Sequence, residues 1–262
     1  MPIVVAETVE KRIARIAINV PEKRNAIGPD VRDQLIAFLS EYLQSDKFDA
    51  IVLGSEAGNF CSGGDINTMR NVDLKSGLQR MQDNHKLVNL LACAQKPLVA
   101  AVEGYAMGAG AGIALLCDSI VLAEGGSFGF PFFSVGLTPD YGIIYTLPRR
   151  VGSAKARQFL LRRQIIDSAQ ALGVGLVDEI AVDGGAEERA IEIAIEMADA
   201  PQTAFSLTKR HLMMEPQNLA TALELECMSQ SLAFSSSEFT EGLDAFFEKR
   251  RPNFHCKTEK ND

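Results

Sequence analysis

Apolar and polar positions follow three rhythms along the chain. Residues 3–9 (IVVAETV) and 13–19 (IARIAIN) alternate at a period of two around a Glu-Lys-Arg turn, which predicts a hairpin. Three short continuous apolar runs, 50–53, 97–102 and 119–123, predict strands buried on both faces. Helical spacing takes over in between. After Pro29-Asp30, which can open a helix with proline in its first turn, Val31, Leu35, Phe38, Leu39, Tyr42 and Leu43 form a one-sided stripe. A polar segment follows the glycine pair at 63–64 up to about residue 78, and 79–95 reads as helix. Beyond the third buried run, 127–150 is loop-rich and aromatic. Helices are predicted from Ser153 through 162 and over 168–173, with a last strand over 176–182. From 186 to 251 the pattern is almost entirely helical, with breaks at Pro201, near Pro216 and at 235–237. Strand-strand-helix repetition in the first half argues for an α/β layer structure with glycine turns at strand ends. The shift near 185 predicts two parts: a core over 1–185 and a smaller helical subdomain over 186–262.

The centre of this pattern is PLVAAVEGYAMGAGAGIALLCD, starting at Pro97. A buried strand ends at Glu103-Gly104 and a Gly/Ala-rich turn over 107–112 leads into helix, read as 113–117. The first backbone N–H groups of such a helix have no intrahelical acceptor, and small residues let a ligand approach them closely. The turn therefore suits a negatively charged oxygen, or it is a packing turn with no ligand.

Composition narrows the classes. The 262 residues are 47% hydrophobic and carry a net charge of −8, which argues against non-specific nucleic-acid binding. No apolar run is long enough to span a bilayer. The N-terminus does not have the pattern of a signal peptide, and the last residues carry no retention or peroxisomal address. The five cysteines are widely spaced and form no CxxC pair. The three histidines are far apart. A disulfide framework or a zinc site is not expected, and a reducing, cytoplasmic setting is.

Several motifs in order, NVPEKRNAI, FCSGGDI, KPLVAAVEGYAMGAGAGIALLCD, FGFPFFSVGLTPDYG, LPRRVG and FFEKRRPNF, resemble the crotonase (enoyl-CoA hydratase/isomerase) superfamily nearly end to end. The resemblance implies a spiral of strand-strand-helix turns with C-terminal helices at trimer contacts, assembled as a homotrimer or a dimer of trimers. It implies an acyl-CoA thioester as ligand, with coenzyme A part of the substrate and no separate cofactor or metal. The thioester oxygen would sit between the backbone N–H groups of Gly64 and Ala109. Two fixed donors there would stabilise an enolate, whatever the side chains.

The family's hydratases use two glutamates, and the matching positions here are Gly112 and Phe132. Neither can transfer a proton. Ordinary hydratase activity is therefore not expected, and isomerases that depend on the second glutamate alone lose their base as well. Asp140 remains. Several relatives, including ring-epoxide isomerases of phenylacetate breakdown and the chlorobenzoyl-CoA dehalogenase, carry an aspartate at this position as base or nucleophile. An aromatic surrounding of Phe128, Phe130, Phe132, Phe133 and Tyr141 would raise its pKa by desolvation. Alternatively, Asp140 is a turn residue after Pro139.

The substrate-lining candidates are Lys23, Arg24, Cys61, Gly63, Asp65, Ile66, His85, Phe132, Tyr141, Lys249 and Arg250. Asp65 is expected to cap the next helix. Cys61 has no identifiable base beside it and reads as packing. Lys23, Arg24, Lys249 and Arg250 match places where relatives meet CoA phosphates, the last two often from a neighbouring subunit; the alternative for each is a solvated cation. His85 reads as structural or substrate-lining. Asp65 stands where the dehalogenase is aromatic, so dehalogenation is not expected. The favoured reading is an isomerase in which Asp140 moves a proton while Gly64 and Ala109 hold an enolate of an apolar acyl group. The alternatives are a hydratase-like or hydrolytic enzyme with an unrecognised base, and an acyl-CoA-binding protein without turnover.

Overall fold

The hairpin forms as expected, from β1 (Val4–Glu10) and β2 (Ile13–Ile18) in antiparallel register. The computed structural model describes residues 2–10, 12–56, 58–214 and 218–254. The buried apolar runs become β3 (Ala50–Ser55), β4 (Leu98–Val102) and β6 (Ser119–Ala123). These strands and the short β9 (Glu179–Ala181) extend the hairpin into a six-stranded sheet, ordered β1-β2-β3-β4-β6-β9 and parallel from β2 onward. Both faces of its central strands are covered, which is why they read as unbroken apolar runs.

Each crossover passes through a second layer. β5 (Tyr105–Met107) follows β4, β7 (Ser127–Gly129) follows β6, and β8 (Ile165–Asp167) completes a three-stranded sheet ordered β5-β7-β8. Single bridges continue this layer from Ala106 to Cys61 and from Gly64 to Ile27. The chain thus winds as strand in the large sheet, strand in the small one, then helix.

Helices α1 (Pro29–Gln44), α2 (Leu74–Ala92) and α3 (Ala109–Leu115) pack on one side of the large sheet with α4 (Ile143–Arg162) and the short α5 (Ser168–Gly173). On the opposite face, α6 (Ala186–Ala198) lays Ala186, Ala190, Ile193, Ala194 and Ala198 on Ile13, Val52, Val99 and Val121. The small residues let this helix lie close to the strands. α7 (Gln202–Met214), α8 (Leu219–Phe234) and α9 (Ser237–Glu248) follow.

The element boundaries differ from expectation in several places. α2 begins at Leu74, not near 79, because Asp73 and Ser76 close a reciprocal cap. α3 begins at Ala109, inside the glycine run, where Gly112 N–H makes a 3.0 Å bond to Gly108 O. α4 begins at Ile143, and Gly152, with φ +76°, kinks it just before the predicted start at Ser153. The last strand covers only Glu179–Ala181 of the predicted 176–182. The three strands of the small sheet are too short to show a period. The break near Pro216 lies outside the described residues.

Candidate active site

Two backbone turns meet at the end of the small sheet. Cys61 N–H donates to Tyr105 O (3.1 Å) and Met107 N–H to Cys61 O (2.9 Å), which docks the 61–65 segment on β5. On its other side Ile27 N–H donates to Gly63 O (2.7 Å) and Asp65 N–H to Ile27 O (3.0 Å). Gly63 has φ +105°, and a Cβ there would stand 3.2 Å from Met107 O. Gly108 has φ +51°, and a Cβ there would stand 3.8 Å from Gly63 Cα and 3.7 Å from the Phe132 ring. Both positions favour glycine for conformation and for space. The two turns therefore lie side by side. The next N–H groups along the chain, those of Gly64 and Ala109, donate to no acceptor among the described residues.

Cys61 is fully buried beneath these turns. Burial pushes its thiol up to about 12, although the Gly63 and Gly110 backbone N–H groups pull the other way. A thiol so held is not a nucleophile at neutral pH. Asp65 does cap the 3-10 helix Ile66–Met69, accepting from Asn67 N–H at 3.0 Å. Lys23 Nζ lies 3.0 Å from its other oxygen. Burial pushes the Asp65 carboxyl up, but Lys23 and the Asn67 N–H outweigh it and hold the group below the ordinary range. Arg24 contributes its carbonyl to Ser62 N–H (3.1 Å) and leaves its side chain exposed, as is Ile66.

The third component is the turn before α4. Tyr141 adopts φ +50°, an uncommon value for a bulky residue, and Gly142 follows at φ +74°. Ile143 N–H closes the turn on Asp140 O at 3.1 Å. Tyr141 is buried against α3 at Gly112, one turn beyond Ala109. Asp140 Oδ1 is buried with no hydrogen-bond partner among the described residues. Desolvation raises the Asp140 carboxyl to about 6, against the opposing pull of a backbone N–H, Arg80 and His85. Burial and the neighbouring Asp140 also push the Tyr141 hydroxyl upward.

Phe132, in the 3-10 helix Pro131–Val135, is buried, while Phe133, Val135 and Leu137 around it are exposed. His85 is exposed on α2. Sequence reasoning passed over Arg80, a turn before buried Asn84 on the stripe that continues to Leu87 and Leu91. A cation on an otherwise buried stripe is the signal that marks it. Arg80 Nη1 also donates to Thr68 Oγ1 at 3.1 Å.

Lys249 and Arg250 are not joined to these turns in the single chain. Lys249 ends α9 with φ +56°, and Arg250 makes a fork onto Glu241 at 2.6 and 2.9 Å. Among the described residues no group of three or more His, Cys, Asp or Glu is placed to hold a metal ion, and no helix is long and apolar enough to cross a membrane.

Residues 8–257 match the family described as Enoyl-CoA hydratase/isomerase. The chain is 32% identical over 255 residues to 1,2-epoxyphenylacetyl-CoA isomerase from Escherichia coli (strain K12), covering 95% of this chain and 97% of that protein. It is also 32% identical over 246 residues to 2,3-dehydroadipyl-CoA hydratase from the same organism, with 94% and 96% covered. A solved enoyl-CoA hydratase/isomerase from Cupriavidus metallidurans CH34 superposes with a TM-score of 0.91 at 29% identity, covering 97% of each chain. An enoyl-CoA hydratase from Polaromonas sp. JS666 superposes with a TM-score of 0.90 at 28% identity, covering 95% of this chain and 98% of that one.

Proposed function

The chain belongs to the enoyl-CoA hydratase/isomerase family, the crotonases, and from that membership we propose that it is an acyl-CoA isomerase whose general base is Asp140. Two relatives at 32% identity bear an isomerase name and a hydratase name, so the choice rests on the residues of the site. One observation carries it: a carboxylate oxygen buried without a partner, on a turn packed against the helix that begins at Ala109. An unpartnered buried acceptor is costly and clusters at functional sites.

In this reading the thioester oxygen accepts from Gly64 and Ala109 N–H. Asp140 takes a proton from the carbon chain, and the electron pair moves onto the thioester oxygen as an enolate. Each backbone donor is worth about 3 kcal/mol to such a charge. The protonated Asp140 then returns its proton to another carbon, so the double bond moves and nothing is added. With a pKa of about 6, Asp140 is ionised at neutral pH and is a stronger base than an ordinary aspartate. Gly112 and Phe132 supply no second carboxylate to activate a water. Phe132, Phe133, Val135 and Leu137 support an apolar acyl group. Coenzyme A enters only as part of the substrate. The exposed apolar residues of the C-terminal helices, among them Leu212, Leu219, Met228 and Phe246, support assembly into a trimer or a dimer of trimers.

The test is product analysis with enoyl-CoA thioesters whose double bond is displaced from conjugation. Isomerisation gives a conjugated product of unchanged mass. A product heavier by one water, or a free acid, would replace the isomerase reading with a hydratase or a hydrolase.

A further inference from the structure

A Cβ on Gly112 would stand 2.5 Å from Tyr141 Cβ, 3.1 Å from Tyr141 O and 3.3 Å from Ile143 Cγ1. Carbon atoms in ordinary contact are about 3.5–4.0 Å apart. The backbone of the 140–142 turn thus occupies the space into which a side chain at 112 would project. That turn is otherwise held in an unfavourable conformation, with φ +50° at a buried tyrosine. From this contact we infer that Gly112 and Tyr141 are a positioning pair: the missing side chain on α3 lets the Tyr141 backbone seat against the helix, and that seating holds the Asp140 carboxyl in its dry setting. The inference rests on the reading of Asp140 as the base.

Neither residue of the pair is itself a proton-transfer group in this scheme, so the signature of the pair is in the behaviour of Asp140. The charges that bear on that carboxyl are those of Arg80 and His85 from α2; Asp140, Cys61, Arg32 from α1 and Arg80 bear on Tyr141. A Cβ at 112 forces a shift of about 1 Å, and misplacement on that scale costs about a hundredfold in rate.

The experiment compares native protein, Gly112→Ala, Tyr141→Gly and the double variant. The first readout is solvent deuterium exchange into acyl-CoA thioesters. The second is the Asp140 titration followed by carboxyl ¹³C NMR, its resonance identified by its absence from Asp140→Asn. Gly112→Ala is expected to slow exchange about a hundredfold and to move the midpoint from about 6 toward the ordinary aspartate value of about 3.9. The same substitution should cost much less in the Tyr141→Gly background, where the overlapping Cβ is gone. Native rate and midpoint in Gly112→Ala, or equal costs in both backgrounds, would overturn the pairing. If Gly112→Ala does not fold, Tyr141→Gly alone decides: a lowered midpoint supports the seating and an unchanged one refutes it. Absence of exchange by the native protein counts against Asp140 as the base, while the titrations still test the positioning.

Discussion

Replacing Asp140 with asparagine should stabilise the folded chain at neutral pH. The folded carboxyl has a pKa of about 6, against about 3.9 when unfolded. Folding therefore raises proton affinity about a hundredfold, which is worth about 3 kcal/mol. A group whose pKa rises on folding favours the folded state while it is protonated in both states and loses that advantage as pH climbs through the folded value. Below about pH 4 Asp140 carries no penalty. Between about 4 and 6 the penalty grows, and above that it is complete. Asparagine has the same shape and no charge, so the variant escapes it. The carboxyl is only half-buried and the turn can relax toward water, so about 1–2 kcal/mol is the expected gain. Urea denaturation of both proteins, at matched protein concentration and at several pH values from about 4 to 7.5, measures it. The stability difference should rise with pH across the Asp140 titration. A constant difference, or one that falls with pH, would refute the claim that Asp140 is held in a desolvated, unpartnered setting. A gain in stability coupled to lost activity is the usual mark of a strained functional group.

Three further outcomes follow from the same geometry. Exchange or isomerisation followed as kcat/KM against pH should rise through about 6 and then level, because the base works ionised; a profile flat across that range contradicts Asp140 as the base. Gly63→Ala puts a Cβ at φ +105° and 3.2 Å from Met107 O, so it should displace the Gly64 N–H and lower kcat by about 10²–10³, with binding of substrate little changed; native kcat would remove Gly64 from the oxyanion role. Lys23→Met leaves buried Asp65 without its cation, and should lower the melting temperature at neutral pH, a loss that fades as pH falls and Asp65 protonates in both states; thermal melts at neutral and acidic pH check this, and an equal loss at both would point to packing instead.

Which features were legible in the sequence follows from how local their causes are. β3, β4 and β6 were readable because burial on both faces leaves no polar position to interrupt them. α1 was readable from Pro29 and its stripe, and the Asp65 cap from its place after the glycine pair. The start of α2 was not, because Leu74 and Leu78 are exposed and the helix is set there by the Asp73–Ser76 cap rather than by a stripe. β5, β7 and β8 are three residues long and are defined by their pairing with each other and with the Cys61 segment. The two glycine turns were visible as candidates because Gly63 and Gly108 must adopt positive φ. The setting of Asp140 was only half visible. Asp140 itself and the adjoining Tyr141 could be read from the sequence, but the contact between Gly112 and Tyr141 joins segments that nothing in local pattern connects. The same holds for Arg80, whose charge is felt at Asp140 without a hydrogen bond or ion pair between them among the described residues.

The most direct test of Asp140 as base and of Gly64 and Ala109 as its electrostatic partners is solvent deuterium exchange into a panel of acyl-CoA thioesters, with native protein and Asp140→Asn side by side. The native protein should incorporate deuterium and the variant none above background, with the thioester still bound. Incorporation at an unchanged rate in Asp140→Asn would contradict it.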